Sequence, residues 1–197
     1  SWAAEEGKLF QTAAYDLSNA KKPRHAGWED EHYGFLIQSE VVLSDDLAKF
    51  GGEGRLSHLS QMATFSGFDC PADLAANIEK AGGLRLTLLS PAIFGGGYLP
   101  AWIDPISKEG VLPHSQVKVR LRAVAMDRWL PVSGWDLDQN KPKAMRKAVA
   151  AGAVYWFELL EGSAQGIENC IFNSISDNDQ DQRDGFGIVG ISHWQAQ

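Results

Sequence analysis

The segment 128–150 combines five cations with a Ser-Gly-Trp sequence. The cations are Arg128, Lys141, Lys143, Arg146 and Lys147, and the Ser-Gly-Trp residues are Ser133, Gly134 and Trp135. Guanidinium and ammonium groups pair with phosphates, and an exposed indole stacks on an unpaired base. The segment therefore predicts a contact surface for single-stranded nucleic acid. Trp135 fits either stacking or anchoring of the loop, whereas Trp129, beside Pro131, is expected to anchor the loop to the core.

A second basic set lies on a predicted strand, "QVKVRLRAVAM". Its cations are Lys118, Arg120 and Arg122, and they alternate with an apolar face of Val117, Val119, Leu121, Ala123 and Ala125. Alternate strand residues lie about 6.6–6.8 Å apart, which is comparable to the phosphate spacing of an extended single strand. We expect charge reversal of Arg120 and Arg122 to weaken RNA binding and to flatten its salt dependence.

The charge distribution agrees with a local polyanion site. The net charge is −7. The window 114–147 nevertheless holds eight Lys/Arg and three Asp/Glu, a net charge of +5, which leaves −12 on the rest of the chain. A local cationic patch matters more than net charge for binding a polyanion. A solvated basic loop would give the same counts.

Other chemistries find less support. The stretch "FGGGYLP" lacks the Gly-Lys-Ser/Thr of a phosphate loop, and "GGEGRLS" lacks the third glycine of a dinucleotide fingerprint. Asp177, Asp179 and Asp181 have calcium-loop spacing, but Gln182 replaces the required glycine and Ile188 the required glutamate. The polar loop "HAGWEDEHYG" offers no identifiable third metal ligand. No cofactor or metal is predicted.

One histidine could serve an enzyme. A metal-independent ribonuclease needs a base for the 2′-hydroxyl, and His114 is the candidate because it lies next to the basic strand. Cys70 and Cys170 are far apart, and no Cys-x-x-Cys motif is present. Two free thiols in a reducing cytosol are expected, which predicts a cytoplasmic protein. No apolar run approaches the ~20 residues needed to cross a bilayer, so no membrane association is predicted.

Strands and helices alternate in a way that indicates an α+β fold. Residues 33–90 predict strand, strand, helix and strand, with the helix in "CPADLAANIEKAGG" and the last strand in "LRLTLLS". Residues 116–197 predict strand, strand, a helix over 164–176, a polar loop over 177–185 and a final strand. This pattern favours tandem ferredoxin-like units with glycine-rich loops. The predicted divisions are 1–91 (the remainder of a first unit that is incomplete at its N-terminus), a connector over 92–115, and 116–197 with the basic hairpin 128–150.

Five blocks in order resemble one known family. They are "EEGKLF", "FGGEGRLSH", "LRLTLLSPAIFGGGYLPAW", "PVSGWDLDQNKPKAMRKAVAAGAVYWFEL" and "RDGFGIVG". The family is the third subunit of the Cmr complex, the type III-B CRISPR effector, within the RAMP superfamily. The family's N-terminal segment has no counterpart here, so the chain is expected to correspond to roughly the C-terminal half. Where the family often reads "AVPAGSVY", this chain has Ala150 and Ala153.

The resemblance implies a non-catalytic RNA-binding scaffold in antiviral defence. Such a subunit holds the 5′ repeat-derived tag of the crRNA, docks the large polymerase-type subunit and contacts the first backbone RAMP subunit. The residues that match the family's RNA-contacting elements are Gly51, Gly52, Gly54 and Arg55 in one turn, Ser133, Gly134, Trp135, Lys141, Pro142, Lys143 and Arg146 in the hairpin, and Gly185, Phe186 and Gly187 in the terminal glycine-rich loop. Two alternatives stay open: a RAMP endoribonuclease that processes precursor RNA, and a scaffold that docks protein alone.

Overall fold

The computed structural model describes residues 43–49, 56–61, 69–136 and 138–196. The chain divides into two compact units, Ser1–Thr64 and Phe65–Gln197. In the first, strand β1 (Asp46–Lys49) pairs antiparallel with β2 (Leu56–Leu59). The predicted strand after the glycine turn is thus confirmed. The turn itself, with Gly51, Gly52, Gly54 and Arg55, lies outside the described residues, as does the strand predicted before it.

The second unit is built on an antiparallel five-stranded sheet. Its strands are β3 (Gly83–Leu88), β4 (Glu109–Val111), β5 (Lys118–Ala125), β10 (Val154–Leu159) and β11 (Val189–His193), in the spatial order β11-β3-β10-β5-β4. Four shorter strands form the hairpin between β5 and β10. They are β6 (Leu130–Val132), β7 (Trp135–Asp136), β8 (Lys141–Pro142) and β9 (Arg146–Ala148).

Helix α1 (Leu74–Ala81) confirms the clearest helix prediction. Leu74 and Ile78 form its buried stripe, and α1 packs on β3 and β11. The helix begins three residues after Pro71. The Asp73 carboxylate accepts a hydrogen bond from Asn77 Nδ2 (2.9 Å) instead of capping the backbone. Gly82 ends the helix in the left-handed conformation (φ +70°), which glycine adopts without a Cβ penalty.

One face of the sheet is buried by strict alternation. Leu84, Leu86 and Leu88 of β3 lie beside Tyr155 and Phe157 of β10 in the core. On β5 the predicted alternation holds for Val117, Val119 and Leu121 and then fails, because the pairing with β10 shifts between Trp156 and Phe157. This β-bulge leaves Arg122 as the extra residue on β5. The prediction that Ala123 and Ala125 are buried is therefore wrong, since both are exposed.

The predicted helix over 164–176 is wrong for most of its length. Only a 3₁₀ helix forms, at Ile167–Cys170. Ile171 is already extended (ψ 132°), and Phe172 has a positive φ of 57°, so the helix cannot continue. The apolar residues Ile171 and Ile175 still pack against the core from this irregular segment.

The predicted polar loop over 177–185 contains a short helix, α2 (Asp179–Arg183). Asn178 begins it, because its side chain accepts hydrogen bonds from the amides of Gln180 (2.8 Å) and Asp181 (3.3 Å). Such an N-cap satisfies amides that lack helical partners. The polar composition gave no apolar stripe that could have predicted this helix.

The sheet spans the boundary that the sequence predicted after residue 91. Strand β3 lies before that boundary, yet it pairs with β10 and β11, which lie after it. The predicted connector 92–115 also contributes β4 and the buried residues Phe94, Ile103 and Leu112. The mixed α+β class is confirmed, with many strands and few helices, whereas the tandem ferredoxin-like arrangement stays a prediction. In the described part of the chain, no helix has both the length and the apolarity required to span a membrane.

Candidate nucleic-acid interface

The basic hairpin, residues 128–150, consists of two short antiparallel ladders in series. The first pairs β6 with β9, and the second pairs β7 with β8. They are joined by hydrogen bonds from Ser133 Oγ to the Lys143 carbonyl (2.8 Å) and from the Lys143 amide to the Gly134 carbonyl (2.8 Å). Ser133 and Gly134 therefore lie along one arm of the hairpin and Trp135 begins β7. The turn itself follows Asp136, whose carboxylate accepts from the Gln139 amide (3.0 Å).

Four hairpin cations are exposed and make no ion pair with any residue that the structure describes. They are Arg128, Lys141, Lys143 and Lys147. Lys147 Nζ lies 5.1 Å from the ring centroid of Trp129, in a cation–π contact. The two indoles are half exposed, Trp129 at 51% and Trp135 at 46%. The prediction that Trp129 anchors the loop to the core is therefore wrong.

The base of the hairpin is held against the rest of the second unit by backbone hydrogen bonds and an ion pair. Ala148 and Val149 are buried, and Val149 exchanges two backbone hydrogen bonds with Ala92 (2.8 and 2.9 Å). Arg146 forms a bidentate ion pair with Asp181 of α2, with Nη1 2.7 Å from Oδ1 and Nη2 in contact with Oδ2. This hydrogen bonding raises the pKa of the Arg146 guanidinium above its usual value. Since two-stranded ribbons are marginal alone, these contacts hold the exposed arms in place.

The terminal glycine-rich loop lies just beyond α2. The Phe186 amide donates to the Asp181 carbonyl (3.0 Å), and the Gly187 amide donates to the Pro91 carbonyl (2.8 Å). The Gly185 carbonyl accepts from Ser90 Oγ (2.7 Å). The structure thus connects Arg146 with Phe186 of this loop through Asp181.

The basic residues of β5 are not free cations. Arg120 Nη2 lies 2.5 Å from Glu109 Oε1, and Arg120 Nη1 lies 3.4 Å from Glu158 Oε2. Arg122 Nη2 lies 2.8 Å from the same Glu158 oxygen, and Lys118 pairs with Glu161. Hydrogen bonding to Glu109 raises the pKa of Arg120. Three cations therefore meet three carboxylates in an ion-pair ladder that carries little net charge.

Sequence reasoning missed these acidic partners. Glu158 lies in β10, one of the strands predicted within 116–197. Trp156 and Glu158 are only partly buried there and alternate with the buried Tyr155 and Phe157. The charge in an otherwise apolar strand was the available signal. Arg85, which pairs across the sheet with Trp156 and donates from Nε to Ser192 Oγ (3.1 Å), was also missed.

Two of the three carboxylates at calcium-loop spacing, Asp177 and Asp181, have structural partners. Asp177 accepts hydrogen bonds from the amides of Gly95 (2.8 Å) and Ala101 (2.7 Å), so it braces the glycine-rich stretch 94–97. Asp181 pairs with Arg146. Within residues 43–49, 56–61, 69–136 and 138–196, no three His, Cys, Asp or Glu side chains converge as metal ligands.

His114 is held by a backbone carbonyl. Its Nε2 lies 2.8 Å from the Ser174 carbonyl oxygen, and its φ is positive at 64°. A carbonyl only accepts, so Nε2 carries the hydrogen and the free lone pair is on Nδ1. In this tautomer a catalytic base would have to act through Nδ1.

Both cysteines are free thiols, as expected. Cys170 is fully buried and donates to the Pro113 carbonyl (3.0 Å), and burial raises the pKa of this thiol to about 11. Cys70 is partly exposed, although burial raises its pKa too.

A thiol titration should therefore count one cysteine in the native chain and two after unfolding. Thiolates, not thiols, react with disulfide reagents, and Cys170 is both inaccessible and protonated. Labelling with a chromogenic disulfide at pH 8, with and without urea, measures this. The matched control is Cys70→Ser, which should remove the native signal. Rapid labelling of two thiols in the native chain would contradict the burial of Cys170.

Comparison with known proteins identifies a family for this chain. The family model described as CRISPR-associated protein (Cas_Cmr3) matches residues 2–194. No curated protein matches the chain. Because the family model covers nearly the whole sequence, the chain belongs to the Cmr3 family, the subunits of a multi-subunit Cmr (type III-B) complex in CRISPR defence.

Proposed function

We propose that the chain is a non-catalytic scaffold that holds the 5′ tag of the crRNA on its basic hairpin. The observation that carries the proposal is the hairpin's set of four exposed cations, which lack ion pairs among the described residues, beside two half-exposed indoles. Unpaired cations release counterions when they meet phosphates, and exposed indoles offer stacking platforms for unpaired bases. The tag and the two protein partners, which are the large polymerase-type subunit and the first backbone RAMP subunit, are what the family resemblance implies. The cytoplasmic location rests on the two free thiols.

The ion-pair ladder on β5 separates two possible RNA surfaces. A phosphate that bound Arg120 or Arg122 would have to displace Glu109 or Glu158, whereas one that bound Lys141 or Lys143 displaces only solvent and counterions. We therefore place the phosphate contacts on the hairpin. Lys118, Arg120 and Arg122 then fix β4 and β10 against β5.

The test compares two double variants with equal loss of charge. Lys141→Gln with Lys143→Gln should weaken binding of a tagged guide RNA and lower the salt slope by about 1.4, since each single-strand phosphate contact contributes about 0.7. Arg120→Gln with Arg122→Gln is the matched control and should change the slope by less than half as much. Filter binding at several salt concentrations, with a tag-scrambled RNA beside the tagged one, measures both.

The outcomes separate the alternatives. An equal loss of RNA affinity in both variants would mean that RNA also binds β5, where phosphates would have to displace the carboxylates of the ion-pair ladder. Binding that ignores the tag sequence would argue against tag recognition by this chain. Cleavage of the RNA in EDTA that His114→Ala abolishes would replace the scaffold with a RAMP endoribonuclease.

A second, protein-docking function has its own observation. Large apolar side chains are exposed on and beside the hairpin, including Met126 (39%), Leu130 (42%) and Met145 (71%). Aromatic residues, methionine and arginine are enriched where proteins meet. We propose that this surface also contacts a protein subunit of the complex. Association with that subunit in the absence of RNA, lost on Met145→Glu, would support it, and association that this variant leaves unchanged would argue against it.

A further inference from the structure

Arg146 differs from the other hairpin cations because its guanidinium is already bound. It forms the bidentate pair with Asp181, the Arg146–Asp181 bridge. The Asp181 side chain is only 4% exposed, while that of Arg146 is 48% exposed. A carboxylate at that depth needs a paired cation, because an unpaired buried charge is costly. Arg146 therefore has a structural partner that Lys141, Lys143 and Lys147 lack in the described part of the chain.

Asp181 makes contacts in both directions. Its side chain receives Arg146 of the hairpin, and its backbone carbonyl accepts from the Phe186 amide (3.0 Å) of the glycine-rich loop. The Asp181 amide is itself held by Asn178 Oδ1 (3.3 Å). Arg146 and Phe186 are thus connected through a single residue.

The glycine-rich loop has little room to adjust. The Phe186 carbonyl accepts from Ser174 Oγ (2.5 Å), and the Gly187 amide donates to the Pro91 carbonyl (2.8 Å). A displaced Asp181 carbonyl would withdraw the acceptor of the Phe186 amide. A change at Arg146 is therefore expected to reach the loop.

We infer that Arg146 is a positioning residue that locks the base of the basic hairpin to the loop Gly185–Gly187, and is not a phosphate ligand. The Arg146–Asp181 bridge is inferred from contacts of the protein without RNA. Its effect on RNA rests on the proposed function, since a hairpin that is released from the loop no longer presents its lysines in a fixed arrangement.

The first test uses hydrogen exchange of the free full chain. Arg146→Gln should speed exchange of the Phe186 amide by about tenfold, since exchange reports the free energy of local opening. Lys147→Gln is the matched control, because Lys147 is the adjacent cation and contacts Trp129 instead of α2. Unchanged exchange of the β3 amides would show that the fold is intact. Phe186 exchange in Arg146→Gln that equals the Lys147→Gln control would overturn the bridge.

The second test is a double-mutant cycle in RNA binding. With a positioning role, Arg146→Gln and Asp181→Asn weaken binding by similar factors, and the double variant is no weaker than either single one. The double variant also removes the unpaired buried carboxylate, so it is expected to fold even where Arg146→Gln is unstable. With a phosphate-ligand role, only Arg146→Gln weakens binding and lowers the salt slope by about 0.7, and Asp181→Asn leaves affinity unchanged.

Together the two tests distinguish a failure of the Arg146–Asp181 bridge from a failure of the RNA-binding proposal. Faster Phe186 exchange together with non-additive RNA losses supports both. Faster exchange with unaltered RNA affinity in every variant, including the Lys141 and Lys143 changes, supports the bridge and overturns the RNA-binding function of the hairpin. A loss confined to Arg146→Gln overturns the positioning role.

Discussion

Gly187→Ala is expected to destabilise the chain by about 3–4 kcal/mol, the sum of a backbone penalty and an overpacking penalty. Gly187 has a φ of +77°, where an L side chain costs roughly 1–2 kcal/mol. A Cβ there would also lie 2.5 Å from Ser176 Oγ and 2.8 Å from the Ser176 amide nitrogen. The hydroxyl could rotate away, but the amide belongs to the backbone of a buried segment, so the loop itself must shift. Urea denaturation followed by tryptophan fluorescence measures the loss.

Gly185→Ala is the matched control for that prediction. Gly185 has a similar φ of +84°, but no atom lies within 4 Å of the position its Cβ would take. It should therefore lose only the conformational part, about 1–2 kcal/mol. Equal destabilisation by the two variants would mean that the contact with Ser176 is not tight.

The same comparison separates two roles within the glycine-rich loop. A Cβ on Gly187 would meet Ser176 inside the protein, so glycine is required at this position for structural reasons. A Cβ on Gly185 would lie in open space, where a ligand backbone could approach closely. A Gly185→Ala variant that loses no more stability than this conformational part, yet binds RNA more weakly, would place the contact at Gly185.

Local patterns predicted the elements whose signals lie within a few residues. The stripe of Leu74 and Ile78 predicted α1, and the alternation of Leu84, Leu86 and Leu88 predicted β3. Both signals come from the period of one element against one core, so no distant residue was needed. The basic hairpin could also be predicted, because its cations and indoles lie within one short segment.

Contacts between distant segments could not be predicted. Arg120 meets Glu109 and Glu158 only because β4, β5 and β10 adopt one particular register. The bulge that sets this register at Arg122 has no glycine or proline to mark it. The basic strand therefore resembled a phosphate-binding face in sequence, while its carboxylate partners come from β4, β10 and the residues just after β10.

Phe157→Ala is expected to lower the free energy of unfolding by about 3–5 kcal/mol, because Phe157 lies in the core of the sheet. Phe157 is 1% exposed, and its ring centroid lies 5.7 Å from that of Trp102 and 6.4 Å from that of Tyr155. It pairs with Leu84 on one side and Leu121 on the other, next to the bulge. Removing the ring leaves a cavity at the centre of the sheet, because the neighbouring rings of Trp102 and Tyr155 are too rigid to fill it. Denaturation in urea gives the magnitude.

Trp135→Ala is the control, because it should change folding stability little and RNA affinity more. Its indole is 46% exposed on the hairpin, so its loss should cost less than about 1 kcal/mol of folding stability. If the indole stacks on an unpaired base, the same change should weaken RNA binding by about 1–3 kcal/mol. Trp135→Phe retains a ring and should recover part of that affinity. A Trp135→Ala protein with full RNA affinity would remove the indole from the RNA surface and leave the lysines to act alone. Destabilisation as large as that of Phe157→Ala would instead make Trp135 a packing residue.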